Sequence, residues 1–169
     1  MACNAYPHQT KTIQVYICLY TAFLVYLDDM FDNDIEAVKE FNHRFITRQT
    51  QRQEVLNHFA ALLLDMPAIF GTVSANLMTT STLNLVTALS LEYELKGVKV
   101  RIFFLPDGTL NRWLHFSQLE PSAYRYPNFG RVMSGASETY ALFMFPPELP
   151  LKTYLQALPD CMVYINNGK

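Results

Sequence analysis

The feature that most constrains the fold is the run Ile13 to Leu27, fifteen mostly apolar residues that lead directly into Asp28-Asp29-Met30-Phe31-Asp32. From about Thr10 to Asp32, apolar residues fall nearly all round a helical projection, with carboxylates only at the far end. That pattern predicts the wall helix of a bundle rather than a surface helix. A membrane-crossing helix needs about 20 apolar residues. Here Gln14 and Thr21 interrupt the run, two aspartates end it, and no small-residue cleavage site follows. The reading is a buried core helix, neither a membrane span nor a signal sequence.

The bulk properties bound the rest. A chain of 169 residues is one folding unit in length, and with half its residues hydrophobic and 17% charged it is expected to be globular. Thirteen basic against fifteen acidic residues give a net charge of -2, without the basic excess that a nucleic-acid partner requires. Cys3, Cys18 and Cys161 are far apart and form no CxxC pair, which argues against a zinc knot or a disulfide frame and for a reducing, cytoplasmic setting.

Further helices follow in order. Asp34 can cap a second helix to about Arg48, and Arg52 to Met66 reads as a third. Pro67 suits the first turn of a long fourth helix to about Leu95, with Gly97 placed to end it. Along that helix Asn76, Thr79, Thr80, Ser81, Asn84 and Thr87 alternate with leucines, a pattern open to two readings: close helix packing, or the wall of a cavity. Residues 98–116 break the helical rhythm, and Pro106-Asp107-Gly108 offers a turn for a short β excursion. Tyr126-Pro127 then opens a helix to about Phe145, stopped by Pro146-Pro147; Pro150 starts the last one, which Pro159 kinks or divides. The fold class is all-α, an antiparallel helical bundle.

Two places carry chemistry. Asp28 and Asp32 stand four residues apart, so in a helix they project from one face with Cβ atoms roughly 6 Å apart, a clamp for a hard cation such as magnesium. Asp29 lies off that face and supports the local charge. Carboxylates at a helix C-terminus oppose the helix dipole at about 0.3–1 kcal/mol each, a cost that a bound cation offsets. The plainer alternative is that these aspartates only end one helix and cap the next. The second place is Tyr126-Pro127 through Arg131-Val132-Met133-Ser134-Gly135, where an arginine able to grip a diphosphate precedes, by one turn, a Ser-Gly pair at which a helix can break. Its plainer alternative is a surface arginine beside a glycine kept for close packing. His8, His43, His58 and His115 form no metal-binding pair, and no phosphate loop or nucleophile elbow is present.

Tyr20-Thr21 through Tyr26-Leu27-Asp28-Asp29, the DDxxD string and the Arg-x-x-Ser-Gly segment together resemble the trichodiene-synthase-like sesquiterpene cyclases of fungi, class I terpene synthases of secondary metabolism. The resemblance implies that 1–169 is one partial catalytic domain of that type. It implies Asp28, Asp29 and Asp32 as magnesium ligands, Arg131 as diphosphate sensor and substrate-binding group, Ser134 as linker and Gly135 as effector at the helix break. It further implies farnesyl diphosphate as substrate and a cyclic sesquiterpene plus diphosphate as products. The family's second metal motif is expected where the chain reaches Ile165-Asn166-Asn167-Gly168-Lys169, with Asn166 or Asn167 as its remnant. A non-catalytic truncated remnant is therefore the alternative, and apolar faces left uncovered in a partial bundle leave room for a homo-oligomer.

Overall fold

Thr10 starts the apolar helix as its residue type predicts: its hydroxyl accepts from the backbone N–H of Ile13 at 3.4 Å, satisfying one orphan donor of the first turn. In the computed structural model, which describes residues 2–95 and 125–167, this helix is α2, Lys11–Asn33, preceded by the single turn α1, Ala2–Ala5. Asp34 is shared between two helices. Its backbone N–H donates to Met30 O at 2.9 Å, and its side chain accepts from the Ala37 N–H at 3.2 Å to open α3, Ile35–Ile46. The chain continues through α4, Glu54–Phe70, and α5, Thr72–Glu94. It resumes with α6, Tyr126–Ser134, α7, Ser137–Leu142, α8, Leu151–Tyr154, and α9, Leu158–Asn167. Among the described residues every regular element is helical, and the fold is all-α. The β excursion expected over 98–116 and the stop expected at Gly97 lie outside the described residues.

Two junctions and one helix face differ from the sequence reading. Pro67 does not open a helix; it sits inside α4, which runs one more turn to Phe70. Gly71 makes the break instead, with φ 76° and ψ 159°, a conformation that costs glycine little and other residues a great deal. An added Cβ at Gly71 would meet nothing within 4 Å, so backbone conformation and not space is what requires glycine there. The helix expected from Tyr126 to Phe145 is two helices, α6 and α7, separated at Gly135-Ala136. Finally, α2 is not covered all round: Val15, Leu19 and Val25 are 47%, 47% and 57% exposed along one stripe, while Ile13, Tyr16, Ile17, Tyr20, Leu24, Leu27 and Met30 enter the core. It is the one helix among the described residues long and apolar enough to cross a membrane by length and composition, and its inner face is committed to the bundle.

α5 is the spine, packed against α3, α4, α6 and α7. Its polar residues divide between the two readings. Ser81 and Thr82 are buried and hydrogen-bonded within the packing, Ser81 to Glu138 Oε2 at 2.7 Å and Thr82 to Tyr20 Oη at 2.8 Å. Asn76, Thr79 and Thr80 line a surface concavity of about 540 Å³ with Phe45, Arg48 and Leu63. Tyr16, Tyr20, Phe70, Tyr140 and Phe143 form an aromatic cluster of mostly edge-to-face rings at the centre, favourable beyond simple area burial.

Arg48 follows α3 in the left-handed region at φ 58°, where its N–H donates to Phe45 O at 3.2 Å. This is the position after a helix that glycine ordinarily fills. Arg48→Gly is therefore expected to stabilise the chain by up to about 1 kcal/mol, read as a higher midpoint in urea unfolding, because relief of the left-handed strain exceeds glycine's extra unfolded-state entropy.

Candidate active site

The acidic string forms the last turn of α2, and Asp28, Asp29 and Asp32 are all exposed there. Next to it lies the last turn of α5, fixed by Phe31 packing edge-on to Tyr93 at 5.7 Å and by Lys39 of α3, which lies over the Tyr93 ring at 5.0 Å and pairs with Glu94 at 2.6 Å. This brings Glu92 of α5 beside Asp28. Burial, and then the Asp28 charge, raise the Glu92 carboxyl above its ordinary range. The phenol of Tyr126, at the start of α6, is raised by burial and then by the Glu92 charge. The ends of α2 and α5 and the start of α6 thus lie near enough for the Asp28 charge to act on Glu92 and the Glu92 charge on Tyr126. Two of those helices present their negative ends, so the local field is strongly acidic.

The other acidic neighbours have different roles. Asp34 is structural: beyond capping α3 it accepts from Gln53 Nε2 at 2.7 Å. The backbone oxygen of Asp29 accepts from Asn33 Nδ2 at 2.8 Å, leaving its carboxylate at the surface. No ion pair engages Asp28 or Asp29 among the described residues. Among those residues, too, no three His, Cys, Asp or Glu side chains are grouped so that together they could hold a metal ion. A pair of carboxylates open to solvent matches the sparse protein ligation of magnesium, which keeps positions for water and phosphate oxygens.

Arg131 lies one and a half turns along α6 from Tyr126, about 7.5 Å of axial rise. It is exposed, and its Nε–H donates to the backbone oxygen of Asn166 at 2.6 Å. Ser134 is the last residue of α6 and is half-buried. Gly135 keeps an ordinary helical φ of -75°, and the left-handed turn falls on Ala136, at φ 43° and fully buried. Such a conformation costs alanine about 1–2 kcal/mol. Glycine at 135 answers a different need, since a Cβ there would collide with the Asn166 side-chain oxygen. Glu92 and Ala136 are thus site neighbours that local patterning did not show, and Asn166, which the resemblance offers as a remnant of the second metal motif, lies against Arg131 and Gly135.

The raised Glu92 carboxyl carries a sign. Folding favours its protonated form, so Glu92 imposes no penalty below the unfolded carboxylate range and a full one above its folded pKa. Stability therefore falls as pH rises through that window. Glu92→Gln is expected to raise the unfolding midpoint at neutral pH and leave it unchanged in acid, measured by thermal unfolding across pH.

The all-helical bundle is consistent with an incomplete all-α terpene synthase fold. Comparison with curated proteins narrows this. The chain is 32% identical over 164 residues to the alpha-cuprenene synthase COP6 of Coprinopsis cinerea, covering 96% of the chain and 45% of that protein. It is 31% identical to the terpene synthase BipA of Cochliobolus sativus, covering 98% of the chain and 46% of BipA. To the (E)-beta farnesene synthase of Metarhizium brunneum it is 26% identical, over 99% of the chain and 47% of that enzyme. No family model matches the chain. The chain is a terpene-synthase-like protein that spans just under half the length of these curated relatives.

Proposed function

We propose that this chain supplies the acidic clamp and the diphosphate sensor of a class I terpene cyclase that ionises farnesyl diphosphate and closes it to a sesquiterpene, releasing diphosphate. The observation that carries the reading is the helix packing that sets the acidic end of α2 and Glu92 of α5 near the start of α6, the helix that also carries Arg131. Asp28, with Asp29 and Asp32, would hold magnesium, and magnesium when bound supplies charge neutralisation to the leaving diphosphate. Arg131 grips that same group: its terminal guanidinium nitrogens make no hydrogen bond among the described residues and face no carboxylate partner there. Gly135 and Ser134 sit where the helix breaks and can aim backbone groups at the substrate. Aromatic faces can stabilise a carbocation; Tyr16, Tyr20 and Phe70 are packed into the core, whereas Phe23 and Tyr26 of α2 are only partly buried. The names of two relatives, alpha-cuprenene synthase and (E)-beta farnesene synthase, support a sesquiterpene product, and a cytoplasmic location accords with the cysteine pattern.

A second reading, a non-catalytic form that acts only through a partner or a second copy, is favoured by apolar side chains left at the surface: Val15, Leu19 and Val25 on α2 and Phe129 and Val132 on α6. Incubation of this chain, and of a form extended at both ends, with farnesyl diphosphate and magnesium separates the two. Hydrocarbon from the extended form supports the cyclase; no diphosphate release from either form rejects it.

A further inference from the structure

Asn166 occupies an unusual place for a residue near the end of a helix. Its backbone oxygen receives the Nε–H of Arg131 from α6 at 2.6 Å, and its side-chain Nδ2 donates to Ser137 Oγ in α7 at 3.2 Å. One residue of α9 therefore bridges both sides of the break between α6 and α7. Its Oδ1 is buried without a partner among the described residues and lies in the space that Gly135 leaves by having no side chain. The bridge extends inward: Ser137 Oγ also donates to Glu138 Oε2 at 3.4 Å, and Ser81 of the spine helix donates to the same oxygen at 2.7 Å. A continuous polar path thus joins the buried centre of α5 to the exposed guanidinium.

We infer that Asn166 is a positioning residue that holds Arg131 in its working place by clasping the two halves of the broken helix. The clasp acts through geometry: Ser137 is fully buried and fixed, Asn166 is anchored to it, and the Asn166 carbonyl then sets the direction of the Arg131 guanidinium. Gly135 belongs to the same device, because any larger residue there would push Asn166 off its seat. Alanine at 135 should accordingly damage the site when Asn166 is present and do less harm once Asn166 is shortened, a reversal that plain loss of helix packing does not produce. The inference rests on Arg131 as the diphosphate-gripping group, but its test does not depend on turnover.

The test is arginine side-chain NMR on the whole chain, comparing Asn166→Ala, Asn166→Gln and Gly135→Ala with the unmodified protein, and Arg131→Ala to assign the signal. The unmodified chain should show a protected Arg131 Nε–H whose exchange quickens by about tenfold in both Asn166 variants, the loss of roughly one hydrogen bond. Gly135→Ala should do the same, and Gly135→Ala with Asn166→Ala should be no worse than Asn166→Ala alone. An unprotected Arg131 Nε–H in the unmodified chain, or unchanged exchange in the Asn166 variants, overturns the clasp; Asn166→Gln keeps the amide should alanine not fold. Titration with magnesium pyrophosphate is read separately. Weaker binding in Asn166→Ala, with no further effect in the Arg131→Ala background, supports positioning. Full binding by Arg131→Ala rejects the sensor assignment while the NMR result still decides the clasp.

Discussion

Asp28→Ala is expected to reduce magnesium-dependent diphosphate release from farnesyl diphosphate by on the order of 10²–10³-fold in the extended enzyme, without a matching loss of stability. Removing a single group that meets charge developing in a transition state has effects of that size. Asp28 lies at the surface and engages no ion pair among the described residues, so its removal relieves Glu92 of a repulsive neighbour. Asp34→Ala provides the contrast. That residue caps α3 and holds Gln53, so its loss should cost about 1 kcal/mol of stability and leave turnover near its starting value. Two aspartates of one short acidic stretch would thereby separate into chemistry and architecture, read by diphosphate release and by urea unfolding respectively. Equal activity losses in the two variants would contradict the assignment.

The largest stability effect is expected at Phe143. Its ring is fully buried and meets Tyr20 at 5.4 Å, Phe70 at 5.6 Å, Tyr140 at 6.1 Å, Tyr6 at 6.3 Å and Tyr16 at 6.4 Å, so it joins α2, α4 and α7 at one point. The backbone there is tied as well, with Gln9 Nε2 donating to Phe143 O at 2.9 Å and Tyr6 Oη to Tyr140 O at 3.3 Å. Phe143→Ala leaves a cavity that rings held from several directions cannot close, at a cost of about 3–5 kcal/mol. Denaturant unfolding measures it, and a loss under about 1 kcal/mol would show that the aromatic cluster is not the keystone of the core.

What could be read from the residues was local. Asp34 announces a helix start because a carboxylate before an apolar periodic run has a backbone N–H to accept from, and it does so; Thr10, the expected start of the apolar segment, caps α2 in the same way. Pro150 likewise marks the start of α8, and Pro159 falls in the first turn of α9, where the last expected helix divides. Pro67 misled because a proline reads equally well as a helix start or as a late interior residue, and the choice was made by Gly71, whose backbone departs from the helix four residues on. At the second break the glycine was visible but its purpose was not: the left-handed turn belongs to Ala136, and Gly135 instead makes room for Asn166, a residue supplied by a different helix. Glu92 was missed for the same reason. Nothing in the local pattern of α5 distinguishes it from Glu94, which pairs with Lys39, until the packing sets Glu92 against Asp28.

If the end of α2 and the arginine of α6 serve one diphosphate, a metal ion bound at the first must lie near the second. Manganese, substituted for magnesium in the presence of pyrophosphate, tests it through paramagnetic broadening of side-chain NMR signals. The signals of Asp28, Glu92, Tyr126 and Arg131 should broaden together and recover on chelation. Broadening that spares Arg131, or that centres on acidic groups elsewhere in the chain, would contradict it.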